Sequence, residues 1–396
     1  MLKGNITANL HIVHDNTPEK VVLAGLLTSD LEQEIFSEDI NEMQMLCETA
    51  GADVIATITQ KRDRPAASTF MGYGKLEEIK GLMKNAGART LVIDTQLAPG
   101  QVRNIEKIID AKVIDRGQLI LDIFAAHART NEAKIQVELA QMRTLYPRLT
   151  HAWTHFSQQV GGIGTRGPGE KQLEVDRRLV KKKISDLEER LEKIEKDRVT
   201  QRKSRRNVFQ VAIVGYTNVG KSSMLNSLCN SDILVENKLF ATLDTSTRKV
   251  YIPGAGQVVV SDTVGFLRKL PHHLVASFKS TLSIIRDAQL LIVVLDASSY
   301  WADQQSKTVH DVLRELEADT LPQITVFNKI DLVDDPFTKK KLSLEYPDAH
   351  FVSTFSKDDM ASLKKLVGKE VVQFEKERKV AEIIYQKSKE KAHSPD

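Results

Sequence analysis

The stretch Phe209-Gln210-Val211-Ala212-Ile213-Val214-Gly215-Tyr216-Thr217-Asn218-Val219-Gly220-Lys221-Ser222 decides how the C-terminal half of this chain folds. Its first six residues read as a strand, and 222–229 that follow read as a helix. Between them, 215–222 fits G-x-x-x-x-G-K-[ST] in the strand–helix setting that the pattern requires. The glycines let the backbone wrap closely, so that its N–H groups face the α- and β-phosphates of a nucleotide. Lys221 supplies a point charge to the β- and γ-phosphates, and the Ser222 hydroxyl is placed to ligate Mg²⁺. An ordinary glycine-rich turn also satisfies the pattern, so the reading depends on what comes after it.

Three further segments follow in order. Asp262-Thr263-Val264-Gly265 ends an apolar run at 257–261, which puts the Asp262 carboxylate beside the metal and lets the Gly265 N–H sense the γ-phosphate. Asn328-Lys329-Ile330-Asp331 follows a run at 323–327. An ionised Asp accepts two hydrogen bonds in a fork, and guanine, unlike adenine, offers N1–H and N2–H side by side. Asp331 is thus the expected guanine discriminator, with Asn328 supporting the base edge and Lys329 lying over the ring. Between the phosphate loop and Asp262 lies Phe240-Ala241-Thr242-Leu243-Asp244. A switch segment here needs a Thr to complete the Mg²⁺ shell. Thr242 is the first choice, with Thr245 and Thr247 as rivals, and a merely Thr-rich loop is the alternative. The expected metal ligands are Ser222, Thr242 and Asp262, and the catalytic set is Lys221, Thr242 and Gly265. Further strands are expected at 289–295 and 350–353. The alternation predicts an α/β domain with a mostly parallel sheet over 207–375, followed by a short charged tail at 376–396 that reads as a fraying helix.

Upstream, β-branched runs at 21–27, 53–60, 90–94 and 112–114 alternate with helical stretches at 37–50, 74–85 and 100–110. That predicts a small α/β domain over 1–130. Residues 131–206 read as an antiparallel helical hairpin. Its first helix carries Ile135, Leu139, Met142 and Leu145 on one face and is expected to end at Pro147. The second starts near Glu170 and carries Val180, Ile184, Leu187, Leu191 and Ile194, the a/d seam of a coiled coil. The loop between them is rich in glycine. Gly72-Tyr73-Gly74-Lys75 lacks the spacing of a second phosphate loop and reads as a turn.

The 396 residues carry a net charge of only +3. From Arg177 to Arg206, however, 13 Lys/Arg face 6 Asp/Glu, so one segment holds the basic character. A solvated coiled-coil face is the ordinary explanation of such a run. The two cysteines, Cys47 and Cys229, have no disulfide or zinc spacing, and the adjacent His272 and His273 lack a third ligand. No apolar run approaches the ~20 residues of a membrane span, and a cytoplasmic, monomeric protein is expected, with peripheral membrane contact left open.

Beyond these motifs the chain resembles the HflX GTPases of the Obg–HflX superfamily. The resemblance rests on 240–244, on Asp262-Thr-Val-Gly-Phe-Leu267 with Leu270-Pro271, and on the glycine-rich signature from Gly161 to Glu170 with Leu173-Glu174 and Asp176-Arg-Arg178. Val113-Ile-Asp-Arg116, Leu121-Asp-Ile-Phe124 and Lys134-Ile-Gln-Val-Glu-Leu139 match its N-terminal domain. The resemblance implies a GTPase that binds GTP and GDP with Mg²⁺ and acts on the 50S ribosomal subunit, in ribosome splitting, rescue or biogenesis, with the hairpin reaching toward ribosomal RNA. His151, Trp153, His155, Arg166 and Lys171 near the tip suit RNA contact. The sequence departs from the family at Thr245, where Pro is common, at Lys171, more often small and polar, and at Ser353-Thr354-Phe355 in place of Ser-Ala-Lys. Ser353 is the expected backbone contact to the guanine oxygen. Phe266 stands where Ras-like proteins hold a water-orienting Gln, so slow intrinsic turnover and stimulation by the ribosome are expected, although the ring could equally pack under a switch. Asn218 stands where similar GTPases help to bind K⁺. The competing functions are a tRNA-modifying GTPase, which usually has a reactive Cys near its C-terminus, and a general RNA-binding module that only senses nucleotide.

Overall fold

In the computed structural model, residues 18–152, 168–203, 208–229, 239–240, 246–268 and 279–392 are described. Two compact units divide between Ile194 and Glu195.

The first unit is built on β1 (Glu19–Leu27), whose run Val21–Leu27 is buried throughout. Such a continuous apolar strand suits a parallel sheet covered on both faces. The sheet order is β2-β1-β3-β4, with β2 (Ala52–Lys61), β3 (Thr90–Ile93) and β4 (Lys112–Asp115) all parallel to their neighbours. The connecting helices are α1 (Gln33–Thr49), α2 (Tyr73–Ala86), α3 (Pro99–Ile109) and α4 (Arg116–His127). Gly72 is the N-cap of α2, so Tyr73, Gly74 and Lys75, expected as a turn, open the helix instead, and the Gly72 N–H donates to Gln60 Oε1 at 2.8 Å. Helix α4 was not anticipated from the sequence. Asp115 caps it by accepting from the Gln118 N–H at 2.8 Å, Arg116 pairs with Glu42 inside the unit, and Leu121 and Phe124 join the core.

The hairpin helices are α5 (Asn131–Ala152) and α6 (Pro168–Lys203). They meet through Ile135, Leu139 and Leu187, with Met142, Ile184, Leu191 and Ile194 packed around them, as the heptad pattern predicts. Lys183–Glu138 (3.0 Å) and Arg143–Glu188 (2.8 Å) bridge the pair. One expectation fails: α5 does not end at Pro147 but continues through it to Ala152. Proline costs an interior helix about 3 kcal/mol. The following turn is held from outside, because Arg148 donates to Asp115 Oδ2 at 3.0 Å and also to Gln118. The signature 161–167, with Trp153, His155 and Arg166, lies outside the described residues, as do the side chains of His151 and Lys171.

In the second unit a six-stranded sheet runs in the order β10-β9-β8-β5-β7-β6. Its strands are β5 (Phe209–Gly215), β6 (Ser246–Ile252), β7 (Gly256–Asp262), β8 (Leu290–Asp296), β9 (Gln323–Asn328) and β10 (His350–Phe351). All pairings are parallel except β6 with β7. The edge strand β6 was not anticipated, and its Arg248 and Lys249 are typical of a protected edge. Helices α7 (Lys221–Cys229), α8 (Lys279–Arg286), α9 (Ala302–Glu315), α10 (Pro336–Glu345) and α11 (Lys357–Ala392) complete the described elements. The charged tail belongs to α11, which is anchored where Phe374 meets Phe209 edge to face at 5.2 Å. The C-terminal ends of β5, β7, β8, β9 and β10 gather the motif loops along one edge, where parallel sheets take ligands.

Candidate nucleotide site

The phosphate loop leaves β5 at Gly215 and enters α7 at Lys221. Asn218 has φ +61° and Gly220 φ +92°. A Cβ on Gly220 would lie 2.3 Å from Asn328 Nδ2, so only glycine lets the loop pass that side chain. Val219 is buried beside it. Lys221 is 6% exposed, and its ammonium donates to the Tyr216 carbonyl at 2.7 Å. Burial pushes its pKa down to about 8, and the Asp262 charge pulls the other way. The Ser222 hydroxyl donates to Asp262 Oδ2 at 2.6 Å. Asp262 is buried at the end of β7, and the Thr263 hydroxyl behind it donates to the Ile213 carbonyl at 2.7 Å. Val264 is buried too, and Gly265 crosses the loop closely: a Cβ there would meet Thr217 Cα at 2.8 Å and Lys221 Nζ at 3.0 Å. The Thr217 N–H donates to the Phe266 carbonyl at 2.8 Å.

At the other end Asn328 joins two loops. Its Nδ2 donates to the Val219 carbonyl at 2.8 Å, and its Oδ1 accepts from the Thr354 N–H at 3.2 Å. The Thr354 carbonyl accepts from the Ser227 hydroxyl at 2.9 Å. Lys329 has φ +62°, and its ammonium pairs with Asp296 Oδ2 at 2.8 Å. The Ile330 N–H donates to the Val352 carbonyl at 3.3 Å, while Asp331 sits exposed in a short 3₁₀ turn, Ile330–Leu332. The Ser353 N–H donates to Asp359 Oδ2 at 2.8 Å, so the backbone donor facing Asn328 belongs to Thr354. Phe355 is 86% exposed.

The switch candidates Ala241, Thr242, Leu243 and Asp244 lie outside the described residues, together with Thr245, Leu270, Pro271, His272 and His273. Phe240 is buried with φ +54°. The rival Thr247 stands in β6 with its hydroxyl 3.0 Å from that of Ser261. The structure therefore brings together Lys221, Ser222, Asp262 and Gly265 at the phosphate end, and Asn328, Lys329 and Thr354 at the base end.

Residues 37–125 match a family model described as GTP-binding GTPase N-terminal, and residues 127–205 one described as GTP-binding GTPase Middle Region. Residues 210–329 match one described as 50S ribosome-binding GTPase. The GTPase HflX of Flavobacterium psychrophilum is 48% identical over 313 residues, covering 79% of this chain and 76% of that protein. The chain belongs to the HflX GTPase family. The HflX of Escherichia coli is 46% identical over 300 residues, 75% of this chain and 70% of its own length. A crystal structure of SsGBP in complex with GDP is 26% identical, with a TM-score of 0.50, and the match covers 90% of this chain and 99% of that one. As an HflX-family protein the chain is a GTPase that binds guanine nucleotide. No helix among the described residues is long and apolar enough to cross a membrane.

Two residues beside this site, Asp296 and Asp359, were not singled out from the sequence, nor was the contact that the loop residue Tyr216 makes. Asp296 holds Lys329, Asp359 holds the loop at Ser353, and the Tyr216 hydroxyl accepts from the Arg268 N–H at 2.9 Å. Only Asp296 left a readable signal, as a carboxylate closing the apolar run of β8 on the same edge as the other motifs.

Proposed function

We propose that this chain hydrolyses GTP with Mg²⁺ as a cytoplasmic, monomeric switch on the 50S ribosomal subunit, in ribosome splitting, rescue or biogenesis. The observation that carries the chemistry is the Ser222–Asp262 contact at 2.6 Å beside the buried Lys221. A hydroxyl and a carboxylate are the hard oxygen donors that Mg²⁺ takes, so the residues fit the ion. Ser222 and Thr242 would hold it directly, with Asp262 alongside, and the ion would neutralise charge developing on the β- and γ-phosphates. Lys221 places a positive charge against those phosphates, in a dry pocket where it acts strongly. Gly265 presents its N–H to the γ-phosphate. At the base, Asp331 accepts from guanine, Asn328 and Thr354 hold the edge, and the Lys329 stem, kept in place by Asp296, covers the ring. K⁺ at Asn218 completes the proposed cofactor set, and equal rates in KCl and NaCl would strike it out.

Phe266 offers no hydrogen bond to an attacking water, so the isolated protein should turn over slowly and a partner should complete the site. The 50S subunit is favoured by the description of the family matched at 210–329, and RNA contact at the hairpin tip by Trp153, His155, Arg166 and the basic stem. The test is GTP hydrolysis by the purified protein, alone and with 50S or 70S particles. A rise of at least about tenfold is expected, since partners that complete such sites contribute far more. The rise should vanish in Gly220→Val. No response to either particle would move the partner elsewhere, and tens of turnovers per second without ribosomes would refute the role given to Phe266.

A further inference from the structure

Strands β5 and β7 pair in parallel from Phe209↔Val258 to Ile213↔Asp262, and the pairing resumes at Tyr216↔Phe266. Three steps along the phosphate loop thus face four along the Asp262 segment, and the extra residue lets Gly265 arch over Lys221. Beyond the arch the segment is strapped down. The Phe266 N–H donates to the Gly215 carbonyl at 3.1 Å, the Thr217 N–H donates to the Phe266 carbonyl at 2.8 Å, and the Arg268 N–H donates to the Tyr216 hydroxyl at 2.9 Å. Tyr216, Phe266 and Leu267 are all buried. The first two bonds are backbone to backbone. The third depends on one side-chain oxygen, which a single substitution can remove.

We infer that Tyr216 is a positioning residue whose hydroxyl holds 265–268 on the phosphate loop in a state that accepts GDP and resists GTP. With the strap made, a Cβ at Gly265 would be 3.0 Å from Lys221 Nζ. A phosphoryl oxygen bound to that ammonium needs a place at about 2.8 Å, and the Gly265 backbone stands at one side of it. GDP has no γ-phosphate to admit. GTP has one, and the arch must lift before Gly265 can face it with its N–H. Lifting carries Phe266 and Arg268 away from their partners, so the Tyr216–Arg268 bond is lost as the γ-phosphate enters. A ligand that favours the lifted state gains whatever the strap no longer withholds. This inference rests on the phosphate-loop reading of the site and is independent of the ribosome.

The test is Tyr216→Phe in the full chain, which keeps the buried ring and removes the hydroxyl that accepts from the Arg268 N–H. Affinities for a fluorescent GDP and for a non-hydrolysable GTP analogue are measured at fixed Mg²⁺. Amide exchange is followed at Phe266 and Arg268. GDP affinity should hold, and the GTP analogue should bind about twofold to tenfold tighter, the range that one net hydrogen bond gives. The Phe266 and Arg268 amides should exchange faster in the GDP-bound variant than in the GDP-bound wild type. A hydroxyl with a purely structural role would weaken both nucleotides alike, and that result overturns the inference. So does an unchanged GDP-to-GTP ratio, or wild-type exchange at both amides. Failure of the wild type to bind either nucleotide would instead sink the site assignment, and this inference with it.

Discussion

Raising the pH from 7 to 9 should loosen nucleotide binding while the fold grows more stable. Both effects come from Lys221. The residue is 6% exposed, and burial pushes its pKa from an ordinary 10.5 to about 8, with Asp262 opposing the shift. Phosphate binding uses the charged form. At pH 9, one unit above the free protein's value, about a tenth of the molecules keep the proton, so GDP affinity should fall about tenfold between pH 7 and pH 9. For the fold the sign is opposite. The unfolded chain holds this proton more tightly than the folded one, so it binds more protons between about 8 and 10.5, and stability rises through that window. Each unit is worth about 1.4 kcal/mol, so the whole shift is on the order of 3 kcal/mol. The assay is a titration with fluorescent GDP at half-unit steps, beside urea unfolding at the same pH values. Lys221→Met is the control: it fills similar space, carries no proton, and exposes any loss that comes from titration of the ligand itself. It should bind GDP weakly and with a flat profile, and it should be the more stable protein at pH 7. If the wild-type and Met profiles run parallel to pH 9, the ammonium does not titrate in this range, and the argument from its burial fails.

Two further outcomes follow from the same geometry. Asn328→Ala removes the donor to Val219 and the acceptor from Thr354, both in a buried place. Orphaning such groups costs about 1–3 kcal/mol each, so urea unfolding should show stability down by at least about 1 kcal/mol, and wild-type stability would mean that the bridge between the loops is idle. Ser222→Ala should raise the Mg²⁺ concentration needed for half-maximal hydrolysis by about tenfold or more while leaving Mg²⁺-free GDP binding within about threefold, as expected for a lost metal ligand. An unchanged Mg²⁺ requirement would refute its place in the metal shell.

What could be read from the sequence is what chemistry pins to fixed residue types in a fixed order. Gly220, Lys221, Ser222, Asp262 and Asn328 announce themselves because phosphate, metal and base each accept few alternatives, and the structure gathers all five along one sheet edge. The hairpin seam was legible for a similar reason, since Ile184, Leu187, Leu191 and Ile194 keep a period that only a helix–helix contact explains. What stayed hidden depends on partners far away in the chain. Pro147 reads as a stop until Arg148 is seen bound to Asp115, 33 residues away. Nothing in the sequence connects Arg116 to Glu42, the partner it meets 74 residues away.

The same limit applies inside the nucleotide site. The sequence assigns Lys329 to the base and Tyr216 to the phosphate loop, but Asp296 and the Arg268 amide, which hold them, belong to other loops. A motif names the groups that touch the ligand. Their orientation is set by neighbours that no spacing rule connects to them, and a side chain such as the Tyr216 ring can serve the loop that carries it and restrain another. That is why the strap from Tyr216 to Arg268, although it lies between two of the most recognisable segments of the chain, becomes visible only when both are folded onto the same edge. It also explains why a one-atom change there tests more than a change at Lys221: removing the lysine abolishes a contact with the ligand, whereas removing the Tyr216 hydroxyl alters only the balance between two arrangements of intact groups.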